Sequence, residues 1–425
     1  MTEFSALAPE ELERTRSELQ HRYVALCDCR LSLDITRGKP SPEQLDLSNG
    51  LLANLGEKDI RSAGGTDCRN YGGLEGLPEV RRLFADYMGV APEEIVIGGN
   101  SSLNLMYDTF MRAMVHGFGN GQPPWGRQPT VKFICPSPGY DRHFAICEHL
   151  GIEMIPVPMD DDGPDMNAVE SLAADDGAIK GIWCVPVYSN PTGVVYADAT
   201  VERLARMTTR AVDFRIFWDN AYAVHHFGGG PPHVRNILDA CKAAGNPERP
   251  LMFGSTSKIT FPGAGLAMMA GSTANMDWVR AHMFFQTIGP DKLNQLRHVR
   301  FFGDLSGINR HMGKHAAIVS PRFQAVQEVL ARELDGKGIA TWTRPEGGYF
   351  VSFDTPEGCA RRVVRMAAEG GVKLTPAGST YPLKNDPRDS NIRIAPTFAS
   401  LDDVRTAVEV LAICTQIVVI DQRLA

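Results

Sequence analysis

Between Glu94 and Ser272, short apolar runs recur, separated by polar or helix-patterned stretches. The runs are Glu94–Gly98, Val131–Cys135, Met154–Val157, Gly181–Val187, Arg215–Trp218, Leu251–Gly254 and Leu266–Ala270. Most are continuously apolar rather than alternating, the pattern of strands covered on both faces. Their alternation with helical segments predicts an α/β fold with a mainly parallel sheet, seven-stranded if each run is one strand. Helical patterning marks residues 1–30, Pro78–Met88 and Leu103–Val115, and the Pro- and Gly-rich stretch Ile35–Pro42 reads as a loop. From about Pro321 the rhythm changes. A helix at Arg322–Leu334 precedes strands at Ile339–Trp342, Gly347–Phe353, Val372–Thr375 and Asn391–Ile394, with helices at Cys359–Glu369 and from Leu401. This predicts a large domain over residues 46–320 and a smaller, discontinuous α+β domain made of 1–45 plus 321–425.

In a parallel sheet with helices on both faces, ligands bind beyond the carboxyl ends of the strands, so the residues after each run are the candidates for chemistry. Gly99-Asn100-Ser101-Ser102 opens a helix, where free N–H groups and hydroxyls suit a phosphate; a ligand-free helix cap is the plain alternative. Tyr140 can stack on a flat ring or be a rim aromatic. Asn190, in Asn190-Pro191-Thr192-Gly193, can be a binding group or only part of a turn. Asp219 directly follows a buried run, where a carboxylate needs a cationic or N–H partner; capping a helix is its alternative. Lys258 ends Ser255-Thr256-Ser257-Lys258. A lysine there can lose hydration, lowering its pKa and freeing the amine for Schiff-base chemistry, whereas most lysines are solvated surface charges. A phosphate cradle, a stacking aromatic, an Asn, an Asp and a Lys at one sheet edge together match the needs of pyridoxal phosphate.

Composition narrows the classes. The 425 residues are 43% hydrophobic and 22% charged, with a net charge of −7, which is ordinary for a folded chain and leaves no basic footprint for nucleic acid. No stretch reaches the ~20 apolar residues of a membrane span, and the first residues lack signal-peptide order. The nine cysteines are scattered, and Cys27-x-Cys29 has no second pair at ligand spacing; no metal and a reducing, cytoplasmic setting are expected.

Asn190-Pro191-Thr192-Gly193, Asp219-x-x-Tyr222 and Ser255-x-Ser257-Lys258, in that order, resemble the class I aminotransferases of fold type I, which use pyridoxal phosphate. Asn70-Tyr71-Gly72, Glu346-Gly347-Gly348-Tyr349-Phe350 and Asn391-Ile392-Arg393-Ile394 add to the resemblance, which runs over nearly the whole chain. More narrowly, Arg37-Gly38-Lys39-Pro40, Ser137-Pro138-Gly139-Tyr140-Asp141-Arg142-His143 and Lys258-Ile259-Thr260-Phe261-Pro262-Gly263-Ala264-Gly265 are similar to bacterial aspartate aminotransferases of subgroup Ic. The resemblance implies ping-pong transfer from L-aspartate to 2-oxoglutarate, giving oxaloacetate and L-glutamate, through an internal aldimine on Lys258. It implies Lys258, Asp219 and Tyr222 as catalytic residues, with Asp219 on the pyridine nitrogen and Asn190 and Tyr222 on the ring hydroxyl. Tyr140 would stack on the ring. Asn100, Ser101, Ser102, Ser255 and Ser257 would surround the phosphate, with Tyr71 from the other subunit of a homodimer. Arg393 would bind the α-carboxylate, helped by Asn190 and the Gly38 backbone. The family's phosphate-binding arginine is missing, because its place is Gly265. A dicarboxylic substrate needs a second cation; Arg142 is the candidate, with Arg37 and Lys292 behind it.

Other readings stay in view: an aromatic, alanine or broad-specificity aminotransferase, or a β-lyase, on the same scaffold. An aminotransferase-like sensor domain of a transcription regulator would need a DNA-binding domain ahead of Gly38, where the residues are few and not basic. A nucleotide-binding α/β protein would need a phosphate-loop or G-x-G-x-x-G element after a strand, and none is present.

Overall fold

The computed structural model describes residues 3–119 and 121–425. Its strands, in chain order, are β1 (Leu33–Asp34), β2 (Ile95–Ile97), β3 (Lys132–Ser137), β4 (Glu153–Asp160), β5 (Gly163–Pro164), β6 (Ile179–Cys184), β7 (Arg215–Asp219), β8 (Pro250–Ser255), β9 (Ala267–Ala270), β10 (Thr341–Trp342), β11 (Val351–Asp354), β12 (Val372–Lys373) and β13 (Asn391–Ile394). Eight form one sheet in the order β2-β9-β8-β7-β6-β3-β4-β5. The β4–β3, β3–β6, β6–β7 and β7–β8 pairs are parallel. Only β9, antiparallel to both β2 and β8, and the terminal β5 run the other way. All seven predicted runs are strands. The eighth, β5, is two residues of Gly and Pro and carries no apolar signal.

The continuous apolar character of the runs has a direct cause. Alternate residues point to opposite faces of the sheet, and both faces are buried. Ile134, Ile182, Ile216, Trp218 and Met252 join one apolar cluster; Phe133, Trp183, Phe217, Leu251 and Phe253 join another on the far side. Aromatic packing fills the second face, where the Phe217 and Phe253 rings stack at 5.5 Å. Burying each such side chain stabilises by roughly 1.5–3 kcal/mol.

A third cluster lies among the helices Pro9–Asp28, Leu305–Leu334, Ala360–Glu369 and Leu401–Leu424 and the antiparallel sheet β10-β11-β13. The pair β1–β12 ties the segment after the first helix to the C-terminal part of the chain. The sequence predicts a helix beginning near Pro321, yet helix Leu305–Leu334 runs through that proline. Proline cannot donate to the carbonyl four residues back and strains the helix there. On the same turn, Arg322 Nη1 donates to the neighbouring carbonyl, Ile318 O, at 3.0 Å. Among the described residues, no helix is long and apolar enough to cross a membrane.

Candidate active site

Because β2, β3, β6, β7 and β8 run in one direction, their carboxyl ends share one edge, and the residues that follow them line one cleft. Its inner compartment, with an empty volume of about 600 Å³, is walled by Ser101, Ser102, Tyr140, Asn190, Asp219, Tyr222, Ser255, Ser257 and Lys258. An outer compartment of about 780 Å³ shares Tyr140, Asn190, Tyr222 and Lys258 and adds Arg37, Gly38, Asp141, Arg142, Phe350 and Arg393. Side chains separated by more than 250 positions in sequence, such as Asp141 and Arg393, meet here (252 apart).

At the floor stands Asp219, the last residue of β7 and 2% exposed. Its Oδ2 accepts from His143 Nε2 at 3.0 Å, while its Oδ1 is buried with no partner among the described residues. Trp183 stacks flat on His143 at 4.1 Å and fixes the imidazole plane. An orphaned carboxylate oxygen is costly unless a ligand N–H or cation meets it. His143 sits one helical turn beyond Tyr140, so it lies behind the Tyr140 ring and against Asp219 rather than in the cleft itself.

Lys258 follows β8 in a turn. Its carbonyl accepts from His225 Nε2 at 3.3 Å and from the Tyr349 hydroxyl at 3.4 Å. Its Nζ lies 4.9 Å from the centre of the Tyr222 ring. Burial pushes the amine below its ordinary value near 10.5, and Asp219 pulls it partly back. The direction favours a neutral, nucleophilic amine. Burial raises the Tyr140 and Tyr222 phenols, with the Asp219 charge adding to both shifts, so both stay protonated donors.

Hydroxyls and a helix start form the opposite wall. Helix Ser102–His116 begins at the cleft, and its N-cap Ser101 makes no side-chain cap bond, which leaves the hydroxyl and first N–H groups for an anion. Ser255 Oγ donates to Ser257 Oγ at 3.1 Å beside them. No arginine projects into this cradle, for a steric reason. A Cβ on Gly265 would lie 2.9 Å from Thr256 Oγ1 and 3.0 Å from Phe261 O. Thr256 is fully buried and accepts from Leu266 N at 2.8 Å, so it cannot give way cheaply. An orphaned carboxylate oxygen, a desolvated lysine and a cradle of hydroxyls and helix N–H groups are the donor and acceptor set that pyridoxal phosphate requires, so the residues present fit that group.

In the outer compartment, Arg393 Nη1 donates to Asp141 Oδ1 at 2.9 Å and to Asn190 Oδ1 at 3.3 Å; its Nη2 reaches Thr375 Oγ1 at 3.4 Å. Phe350 lies under the guanidinium at 4.8 Å. A Cβ on Gly38 would sit 2.5 Å from Phe350 Cζ, so only glycine lets this backbone come so close. Arg37 and Arg142 are exposed at the mouth.

Three expected residues stand apart from the walls of the cleft. Asn100 donates to Pro262 O at 3.2 Å, and its own carbonyl accepts from Ser257, so it braces the lysine loop from outside. Tyr71 is 82% exposed on the surface of this chain. Lys292 is buried and donates to Gly72 O at 2.6 Å, which orders the Tyr71 loop and removes this cation as a reader of a distal carboxylate in the same chain. The sequence reading assigned no role to His143, Asp141, His225 or Thr375. The first two had a signal: the helix starting after Tyr140 places them near the ring it walls.

Comparisons with known proteins agree with this geometry. The chain matches the family described as aspartate amino-transferase over residues 7–425. It is 51% identical to a Mycolicibacterium smegmatis protein that carries an aminotransferase name, over 97% of this chain and 96% of that one. It is 46% identical to an aspartate aminotransferase of Corynebacterium glutamicum, over 95% and 94% of the two chains. The crystal structure of an aspartate transaminase from Corynebacterium glutamicum superposes with a TM-score of 0.95 at 45% identity, covering 97% of each chain. A match of this extent, on a fold whose strand ends converge on one lysine, shows that the chain belongs to the aspartate amino-transferase family.

Proposed function

We propose that this protein is an aspartate aminotransferase that moves the amino group of L-aspartate to 2-oxoglutarate, with pyridoxal phosphate attached at Lys258. The observation that carries this reading is the pairing, across one cavity, of a desolvated lysine amine with a buried carboxylate oxygen that has no partner among the described residues. Bound there, the cofactor supplies an aldehyde for covalent attachment and an electron-withdrawing ring that stabilises negative charge at the substrate Cα.

The residues divide the remaining work. Asp219 Oδ1, which has no partner among the described residues, would accept the cofactor ring N–H, and His143 and Trp183 hold that carboxylate in place. The hydroxyls of Ser101, Ser102, Ser255 and Ser257 and the N–H groups of the helix they border take the phosphate; Asn190 and the Tyr222 hydroxyl hold the ring oxygen, and Tyr140 covers the ring face. With substrate bound, Lys258 Nζ would take the proton from Cα and return one, as the general base and acid of both half-reactions. Arg393 binds the α-carboxylate, with Asn190 and the Gly38 backbone beside it. Arg142 takes the distal carboxylate, since a planar guanidinium suits bidentate binding and this one has no ion-pair partner among the described residues.

The exposed Tyr71 belongs, on this reading, to a second copy of the chain. Phe284, Phe285 and Ile288 are 71%, 85% and 62% exposed on the same surface, and Gly289 packs its backbone against Gly72. An apolar patch next to the Tyr71 loop supports a homodimer in which each Tyr71 reaches the partner's phosphate. All nine cysteines are free, in keeping with a cytoplasmic enzyme.

The test is an absorbance titration of the purified protein. Aspartate should abolish a visible band of the holoenzyme, and 2-oxoglutarate should restore it. A band that ignores aspartate but responds to another amino donor would overturn the substrate assignment, and a protein that gains no band with added pyridoxal phosphate would overturn the cofactor.

A further inference from the structure

Two charged side chains of the cleft, Arg37 and Asp141, have no part in the reading above, and Asp141 is the one held by an ion pair. Asp141 is the first residue of helix Asp141–His149, and its carboxylate takes Nη1 of Arg393 at 2.9 Å. The two partners differ in environment: the Arg393 side chain is 6% exposed, whereas that of Asp141 is 37% exposed. Among the described residues Arg393 has no other ion pair, its remaining hydrogen bonds are to the neutral Asn190 and Thr375, and its Nε has no partner.

We infer that Asp141 is a resident counter-ion of Arg393 that competes with the substrate carboxylate, so that it sets how tightly amino and oxo acids are held and how readily they leave. The inference rests on the reading that Arg393 binds the α-carboxylate. A buried guanidinium without a counter-charge is costly, and Asp141 supplies one when no substrate is present. A substrate carboxylate on the same guanidinium comes within a few ångströms of the Asp141 carboxylate, and the two like charges repel. The half-exposed side is the one free to turn to water, so the substrate displaces Asp141 from Nη1 and product departure lets it return. In a ping-pong reaction each half-reaction ends with an acid that must leave the same guanidinium, and a carboxylate waiting beside it speeds that exchange. A different role, a helix N-terminal acid that only favours the dipole, predicts no change in ligand affinity.

The test uses the holoenzyme and Asp141→Asn, which keeps the shape and an oxygen acceptor and removes only the charge. Maleate, a dicarboxylate that cannot react, is titrated by calorimetry, and KM and kcat are measured with aspartate. The expected result is a maleate Kd and an aspartate KM both lower by roughly 5- to 20-fold, with kcat unchanged or reduced. A Kd within twofold of wild type, or higher, overturns the inference. Arg393→Ala separates the two layers: if it leaves maleate binding intact, the α-carboxylate assignment itself fails. If it abolishes binding while Asp141→Asn tightens nothing, only the role of Asp141 fails. Should Asp141→Asn not fold, Asp141→Ser is measured in the same way.

Discussion

At the scale of single residues, the cleft divides into groups that sequence order exposes and groups that it hides. Lys258, Tyr222, Asn190 and Tyr140 each follow a strand and Asp219 ends one, so a strand-by-strand reading finds them. His143 and Asp141 lie within the helix that begins after Tyr140; they matter because that helix turns one toward Asp219 and the other toward Arg393. Asn100 shows the converse: a residue at the expected position that points its amide to Pro262 O instead of into the cleft. Arg142 carries the substrate assignment at this scale. Arg142→Ala should lower kcat/KM for aspartate by roughly 10- to 100-fold, the loss of one charge-assisted contact, and leave that for alanine within about threefold. Equal losses with both donors would remove Arg142 as the reader of the distal carboxylate.

At the scale of elements, the strands were legible because both faces of the sheet are buried and most positions in a run are apolar. The two-residue strands β1 and β5 were not, since their pairing comes from the surrounding fold and not from their side chains. The long helix through Pro321 misleads any reading that stops helices at proline. That helix also carries a buried polar network legible only in three dimensions. Gln44 donates to the Tyr349 hydroxyl at 3.0 Å and meets His315 Nδ1 at 3.1 Å, and His315 meets His311 at 3.1 Å. Burial pushes His315 down to about 3; it pushes His225, beside Lys258, to about 3 and His298 to about 4. For these groups the neutral form is favoured in the fold, while the unfolded chain takes up protons below about 6.5. Stability is therefore intact above that value and falls as pH drops toward 3–4, by up to about 1.4 kcal/mol per pH unit per site. Urea midpoints between pH 6.5 and 4 should decline less steeply in His315→Gln than in wild type. Parallel declines would mean that His315 titrates in the fold as it does in the unfolded chain.

At the scale of the whole molecule, the α/β class and the converging strand ends were readable from the sequence. The role proposed for Tyr71 came from the family resemblance and not from patterning, because a single chain gives Tyr71 no contact in its own cleft. Its exposure, with that of Phe284, Phe285 and Ile288, is what the proposed shared site would leave visible on one copy. Phe285→Glu should shift the protein from dimer to monomer in sedimentation velocity and reduce activity in step with the monomer fraction. A fully active monomer would show that Tyr71 serves no neighbouring site.

Everything in the cleft is arranged around one amine, and its chemistry can be read directly. The holoenzyme, reduced with borohydride and digested, should carry a pyridoxyl mass tag on the peptide containing Lys258 and on no other lysine. A tag elsewhere, or an untagged Lys258 peptide from protein that has bound pyridoxal phosphate, would contradict the account.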